Sequence, residues 1–138
     1  MYESIAVPDA VWGEVVQVGR LRPGSAEVIN ADWIVRRSVS NRQQVALLHT
    51  HLDPGEAEAI ALAQEVGRTI PLIMDERRGR RVARAFGLQV IGSAGLLIAA
   101  KDLGLISLVE PLLVRLRDSG LRLSSRLFDE VLQAANEK

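Results

Sequence analysis

The chain contains no cysteine, which excludes disulfides, thiolate zinc sites and cysteine nucleophiles. Histidine is almost as scarce. His49 and His51 are the only two, too few for a histidine metal cage, and at this spacing they point to different faces of a helix. Both read as surface or hydrogen-bonded residues. With both histidines in one segment and no serine in a nucleophile's context, the sequence also argues against Ser/His/Asp catalysis. Aromatics make up only 4% of the residues, so a core must come from Leu, Val, Ile and Ala. Lysine stands only at 101 and 138, and the formal net charge is zero. The chain therefore lacks the overall basic field of many nucleic-acid binders. No apolar run approaches the roughly 18 residues of a membrane span, and no charged-then-apolar signal pattern opens the chain. These absences predict a soluble, cytoplasmic protein with no membrane partner. The phosphate-loop patterns GxxxxGKS/T and GxGxxG are missing, as are the GxSxG elbow and HExxH.

What is present predicts one α/β domain over residues 1–138. Length and composition suit a single sizeable core. A strand over Glu3 to Val7 enters Pro8-Asp9, a helix start, and Val11, Val15 and Val18 then form an apolar stripe with Glu14 on its flank. Gly19 to Gly24 reads as a loop and Asp32 to Val35 as a strand. Helices follow over Gln43 to Thr50 and from Asp53 to the C-terminal glycine Gly67. A strand runs from Ile70 to Met74, a helix over 76–86 and a short strand from Leu88 to Ile91. The C-terminal third is nearly all helix: 93–103, 108–118, and a last helix capped by Ser124 or Ser125. Strands alternating with helices through short glycine-containing turns predict a mostly parallel sheet covered by helices.

Residues 53 to 81, DPGEAEAIALAQEVGRTIPLIMDERRGRR, carry the most chemistry. Asp75 closes a strand, where open α/β sheets place their ligands. At about 100° per residue, Glu56 falls within the apolar arc of Ala59, Ile60, Leu62, Ala63 and Val66, with Glu58 and Glu65 on the polar side. A carboxylate aimed at a core must be paired, protonated or bound to a cation. The plainer reading is a first-turn Glu favoured by the helix dipole and still reaching water. After Asp75, Arg77, Arg80, Arg81 and Arg84 gather opposite the Val82 and Phe86 face. Arg78 lies on the Val82 side, able to pair with a site carboxylate or a phosphate or to lay its stem over the core. The chemistry left to this chain is carboxylate chemistry, with Glu14, Glu56 and Asp75 foremost and Asp53, Glu58 and Glu76 nearby. Oxygen ligands of this kind suit Mg²⁺ or Mn²⁺, as in metal nucleases.

The order PDAVWGEV, LDPGEAEAIALA, LIMDERRGRRVARAFGLQVIGSAGLLIAAKDLGLI and PLLVRLRDSGLRLSSRLFDEVLQAANE resembles a PIN-like family of prokaryotic proteins related to the toxin ribonucleases of toxin–antitoxin modules. The match covers nearly the whole chain. It implies a three-layer α/β sandwich with about five parallel strands between helices, and a Mg²⁺ or Mn²⁺ site at the carboxyl end of the sheet. By the same resemblance Glu14, Glu56 and Asp75 hold the metal and act in catalysis, Arg78 and Arg81 contact the nucleic acid, and the partners are RNA and an antitoxin protein.

Relatives of this kind begin with a further strand bearing an Asp in a D-x-S-P-L-like motif, then a helix, before anything like YESIAVP. This chain starts at Met1 without either, so the resemblance implies an N-terminally truncated domain. Loss of a central strand would expose two sheet edges, so a homo-oligomer that repairs the sheet, or a rearranged strand order, is expected. Three functions stay open: a toxin-like endoribonuclease, a catalytically inactive PIN-fold module that binds nucleic acid or protein, and a structural protein whose acidic residues are solvated.

Overall fold

The computed structural model describes residues 3–18 and 25–138. They form two compact units, one ending at Val90 and the other spanning Ile91–Lys138.

In the first unit, strand β1 (Ile5–Pro8) runs into helix α1 (Asp9–Trp12), which continues as a π-helical turn, Gly13–Val18. After helix α2 (Ser25–Asn30), strand β2 (Ile34–Arg37) returns parallel to β1, Ile5 facing Ile34 and Pro8 facing Arg37. Asp9 ties the two ends together. Its carboxylate accepts from the Ser38 hydroxyl and from Arg36 Nε, both at 2.7 Å. The Ser38 bond first, then Arg36, holds its pKa below the usual value. The loop expected over Gly19 to Gly24 lies outside the described residues, and α2 is an element the sequence reading left unassigned.

Helix α3 (Arg42–His49) is capped by Asn41, whose side chain accepts from Gln44 N–H. Helix α4 (Pro54–Val66) opens with a capping box between Asp53 and Glu56 and ends at Gly67, φ +111°. Strand β3 (Leu72–Ile73) pairs with β4 (Val90–Ile91), Leu72 N–H bonding Gln89 O at 2.8 Å, and α5 (Arg77–Ala85) joins them. Both strands are shorter than the expected Ile70 to Met74 and Leu88 to Ile91. The causes are local. Ile70 N–H turns back to Gly67 O, Pro71 has no N–H to donate, and Leu88 N–H closes the end of α5 on Ala83 O.

In place of one five-stranded sheet, the described residues form two sheets of two strands each, β1–β2 and β3–β4. Helix α4 packs against β1, β3, α1, α3 and α5, so it is buried nearly all round at Ala57, Ile60, Ala61, Leu62 and Ala63. Val39, Val45, Leu48, Leu52, Met74, Ala83 and Leu88 complete this core. Burying one such Leu or Ile stabilises the fold by about 1.5–3 kcal/mol.

The second unit holds α6 (Ser93–Asp102), α7 (Glu110–Asp118) and α8 (Ser125–Ala134). Its core is Val109, Leu113, Val131, Leu132 and Ala135. Ser124 caps α8 by accepting from Leu127 N–H, one of the two serines the sequence proposed. Arg117 lies over the Phe128 ring, 4.9 Å from its centroid. No helix of the described residues is long and apolar enough to cross a membrane.

Glu137 holds the start of α7 from the far end of the chain. Its carboxylate accepts from Val109 N–H at 2.7 Å, Glu110 N–H at 3.0 Å and Lys101 Nζ at 3.0 Å. The Val109 bond foremost, then Glu110 and Lys101, lowers its pKa. A carboxylate lowered in the folded state contributes stability that is present above its unfolded value, about 4.3, and lost as pH falls through the folded one. Glu137→Gln should therefore melt several degrees below the parent protein at pH 7. That gap should close as pH falls below about 4; thermal melts at pH 3, 4, 5 and 7 read it directly. A gap that stays constant with pH would mean that the charge of Glu137 is not what α7 needs.

Candidate functional site

Two of the carboxylates singled out in the sequence, Glu14 and Glu56, lie at the first turn of α4 beside Asp53. Pro54 occupies the first turn, where a missing N–H costs nothing, and Asp53 and Glu56 exchange hydrogen bonds: Glu56 N–H to Asp53 Oδ1 at 2.8 Å and Asp53 N–H to Glu56 Oε1 at 3.2 Å. Glu56 is thus a capping-box residue. Its second oxygen points elsewhere, to α5, where a Cβ on Gly79 would come within 2.8 Å of it. Glu14 arrives from the π-helical turn after α1, a kind of irregularity frequent at functional sites. Its Oε1 rests on Gly55, 2.8 Å from where a Cβ would stand. Two glycines therefore seat two carboxylates, one on each helix.

Burial raises the pKa of Glu14, and the negative charge of Asp53 raises it further. Burial also raises Glu56. The hydrogen bond from Asp53 N–H opposes that shift, while the Asp53 and Glu76 carboxylates add to it. The first turn of α4 thus gathers Glu14, Asp53 and Glu56, with Glu76 acting from the start of α5. Asp75 lies exposed just past β3. Among the described residues, no three acidic or histidine side chains stand close enough together to hold a metal ion. The donor chemistry fits Mg²⁺ or Mn²⁺, since every candidate ligand is a carboxylate oxygen. A cation would also relieve the mutual repulsion recorded in the raised pKa values.

The helical projection misassigned the buried carboxylate of α4. Glu56 is half-buried, whereas Glu58, expected on the polar face, is 7% exposed. Glu58 Oε1 accepts from Ala10 N–H at 3.0 Å, in the first turn of α1, and Oε2 from Arg42 Nη2 at 3.3 Å. Glu65 acts alike for α3, accepting from Ser40 and Asn41 N–H at 2.8 Å each. These two carboxylates face the unpaired N–H groups of neighbouring helices, which a single-helix projection cannot anticipate. His49 is hydrogen-bonded, its Nδ1 2.9 Å from Leu52 O, and His51 is exposed, in keeping with their reading as surface or hydrogen-bonded residues.

The arginines of α5 divide by position. Gly79 and Ala83 form the buried face, Val82 is half-buried and Phe86 is 39% exposed. The expected buried face is therefore displaced toward Gly79, because only a residue without a side chain fits beneath Met74 and Glu56. Arg77, Arg81 and Arg84 are exposed. Arg80 was expected with them, but it lies on the flank of the buried face, with its Nε buried and without a partner. Arg78 Nη1 donates to His51 O at 3.1 Å. That anchors its head to backbone, with further N–H groups available to an anion.

Comparison with curated proteins and with solved structures finds no match. A family model for the PIN domain matches residues 1–137, which spans both compact units, the acidic turn of α4 and the arginines of α5. The class of function that goes with a PIN domain is nuclease-type, with divalent metal and nucleic acid as the general partners. By that match, and with helices laid on short strands around this acidic turn, the chain belongs to the PIN-domain family.

Proposed function

We propose that the chain is a metal-dependent endoribonuclease of toxin type that hydrolyses RNA phosphodiester bonds, with both compact units serving one PIN domain. Glu14, Glu56 and Asp75 would hold Mg²⁺ or Mn²⁺. The observation that carries this reading is the convergence of Glu14 and Glu56 on the first turn of α4, where burial and like charge raise both pKa values. A bound divalent ion supplies an acidified water and offsets charge developing on phosphate. The protein's own groups do the rest. Asp53 and Gly55 fix where Glu56 and Glu14 sit, and Arg78 and Arg81 face the phosphate backbone, a contribution that weakens with salt. An antitoxin protein is the partner this reading implies. A homo-oligomer is supported by the strand edges left unpaired in the two small sheets, and light scattering of the purified chain tests it.

The second reading is a catalytically inactive PIN module that binds RNA or protein. It is favoured by the lack of any three acidic side chains at metal-holding distance among the described residues. Calorimetry with Mn²⁺ separates the two readings. The endoribonuclease reading expects micromolar binding by the parent chain, weakened at least about 100-fold in the Glu56→Gln, Asp75→Asn double variant, with Mn²⁺-dependent RNA cleavage lost in parallel. Equal binding by both chains, or none by the parent, would leave the inactive module standing.

A further inference from the structure

Away from the acidic turn, Asn41, Gln44, Ala61, Gln64, Glu65 and Phe86 line an open cavity of about 480 Å³ between α3, α4 and the end of α5. Its walls are more specific than a chance depression requires. Gln44 Nε2 donates to Gln64 Oε1 at 3.1 Å. An amide pair joined in this way leaves one carbonyl and one NH2 group outside the bond, here Gln44 Oε1 and Gln64 Nε2, and the donating NH2 keeps its second N–H. Both Ser40 and Asn41 N–H bond a single oxygen of Glu65, Oε1, so its second oxygen is available as an acceptor. Phe86, one of only two phenylalanines in the chain, keeps 39% of its surface exposed on the same wall. A single apolar ring beside an acceptor, a donor and a carboxylate oxygen has the make-up of a site for a flat, polar-edged molecule.

The surroundings indicate what carries that molecule. The Arg68 guanidinium lies over Gly87, the residue after Phe86, with Cζ 3.6 Å from where a Cβ would stand. Arg84 is exposed one turn before it on α5. Cations flanking an aromatic and amide-lined pocket are how single strands are held: phosphates outside, one base stacked and its edge hydrogen-bonded.

We propose that this cavity receives one nucleobase of a single-stranded RNA, stacked on Phe86 and read at its edge by Gln44, Gln64 and Glu65, with Arg68 and Arg84 against the adjacent phosphates. The inference rests on the ribonuclease reading above and adds a base-selecting subsite to it. The carboxylate oxygen of Glu65 accepts from an exocyclic amine and repels a carbonyl oxygen. The subsite therefore prefers adenine or cytosine to uracil.

Fluorescence anisotropy with labelled oligo(rA), oligo(rC) and oligo(rU), in EDTA so that nothing is cleaved, tests this on the full chain. Oligo(rA) or oligo(rC) should bind several-fold more tightly than oligo(rU). Phe86→Leu should weaken the preferred oligonucleotide roughly tenfold, the scale of one lost base stack. Glu65→Gln, which keeps a carbonyl oxygen for Ser40 and Asn41 N–H and replaces the discriminating one with an amide, should erase the preference. Arg68→Gln with Arg84→Gln should weaken all three alike and flatten the salt dependence. If every oligonucleotide binds but the Phe86 and Glu65 variants match the parent chain, the subsite is refuted and the ribonuclease reading survives. If no oligonucleotide binds even at low salt, both are refuted.

Discussion

Glu58→Ala should lower the stability of the protein by about 2–3 kcal/mol, the scale on which a buried group loses its only partner. The residue is 7% exposed and its side chain bridges two places distant in sequence, Ala10 N–H and Arg42. Alanine would leave a donor in the first turn of α1 facing apolar atoms and remove the anchor of Arg42 beside α3. Glu58→Gln keeps a carbonyl oxygen for Ala10 and should lose about half as much, since a neutral amide makes the weaker bond to the guanidinium. Denaturant melts at neutral pH on the three proteins settle the order. If Ala and Gln were equally mild, Glu58 would be a solvated residue after all, as the helical projection first had it.

Gly79→Val should be about as damaging, at about 3 kcal/mol, because α5 has no room at that position. A Cβ there would fall on Met74 Sδ and within 2.8 Å of Glu56 Oε2. Gly79→Ala gains about 1 kcal/mol of helix propensity against the same collision and should be the milder change. The displaced atoms make the experiment informative twice. Met74 belongs to the core, so adding Met74→Ala to Gly79→Ala should cost less than the two changes summed. Glu56 belongs to the acidic turn, so Gly79→Ala should also weaken Mn²⁺ binding in calorimetry. Strict additivity with Met74→Ala would show that α5 shifts as a body instead of accommodating the new methyl locally.

These two positions also mark where reading the sequence stopped. The Asp53-Pro54-Gly55-Glu56 start, the glycine that ends α4, the cap at Ser124 and the alternation of helices with strands were legible, because each depends on neighbours within a few residues. The family was legible for the same reason: its motifs are local and keep their order along the chain, and the PIN-domain match over residues 1–137 agrees. Glu58 was misread because its partners lie in α1 and α3, and the periodicity of α4 cannot say that both faces of that helix are covered. The buried face of α5 was misplaced because Gly79 carries no side chain to count in an apolar stripe, although the absence of one is what lets α4 approach. The strand lengths were misjudged because Ile70 and Leu88 spend their N–H groups on turns, a choice that hydrophobicity does not record.

The amino-acid sequence alone thus determined the composition of the site, carboxylates and arginines without cysteine or a histidine cage, and the local geometry that begins and ends each helix. Tertiary structure decided which carboxylates bond to distant backbone and which are crowded by like charge. Glu58, Glu65 and Glu137 are claimed by the free N–H groups at or before the starts of other helices, where hydrogen bonds satisfy their charge. Glu14 and Glu56 are instead seated against Gly55 and Gly79 and crowded by Asp53. Hydrogen bonding to distant backbone anchors the first set, and in Glu137 it lowers the pKa; burial beside like charge raises the pKa of Glu14 and Glu56. That difference arises only when helices far apart in sequence are packed together.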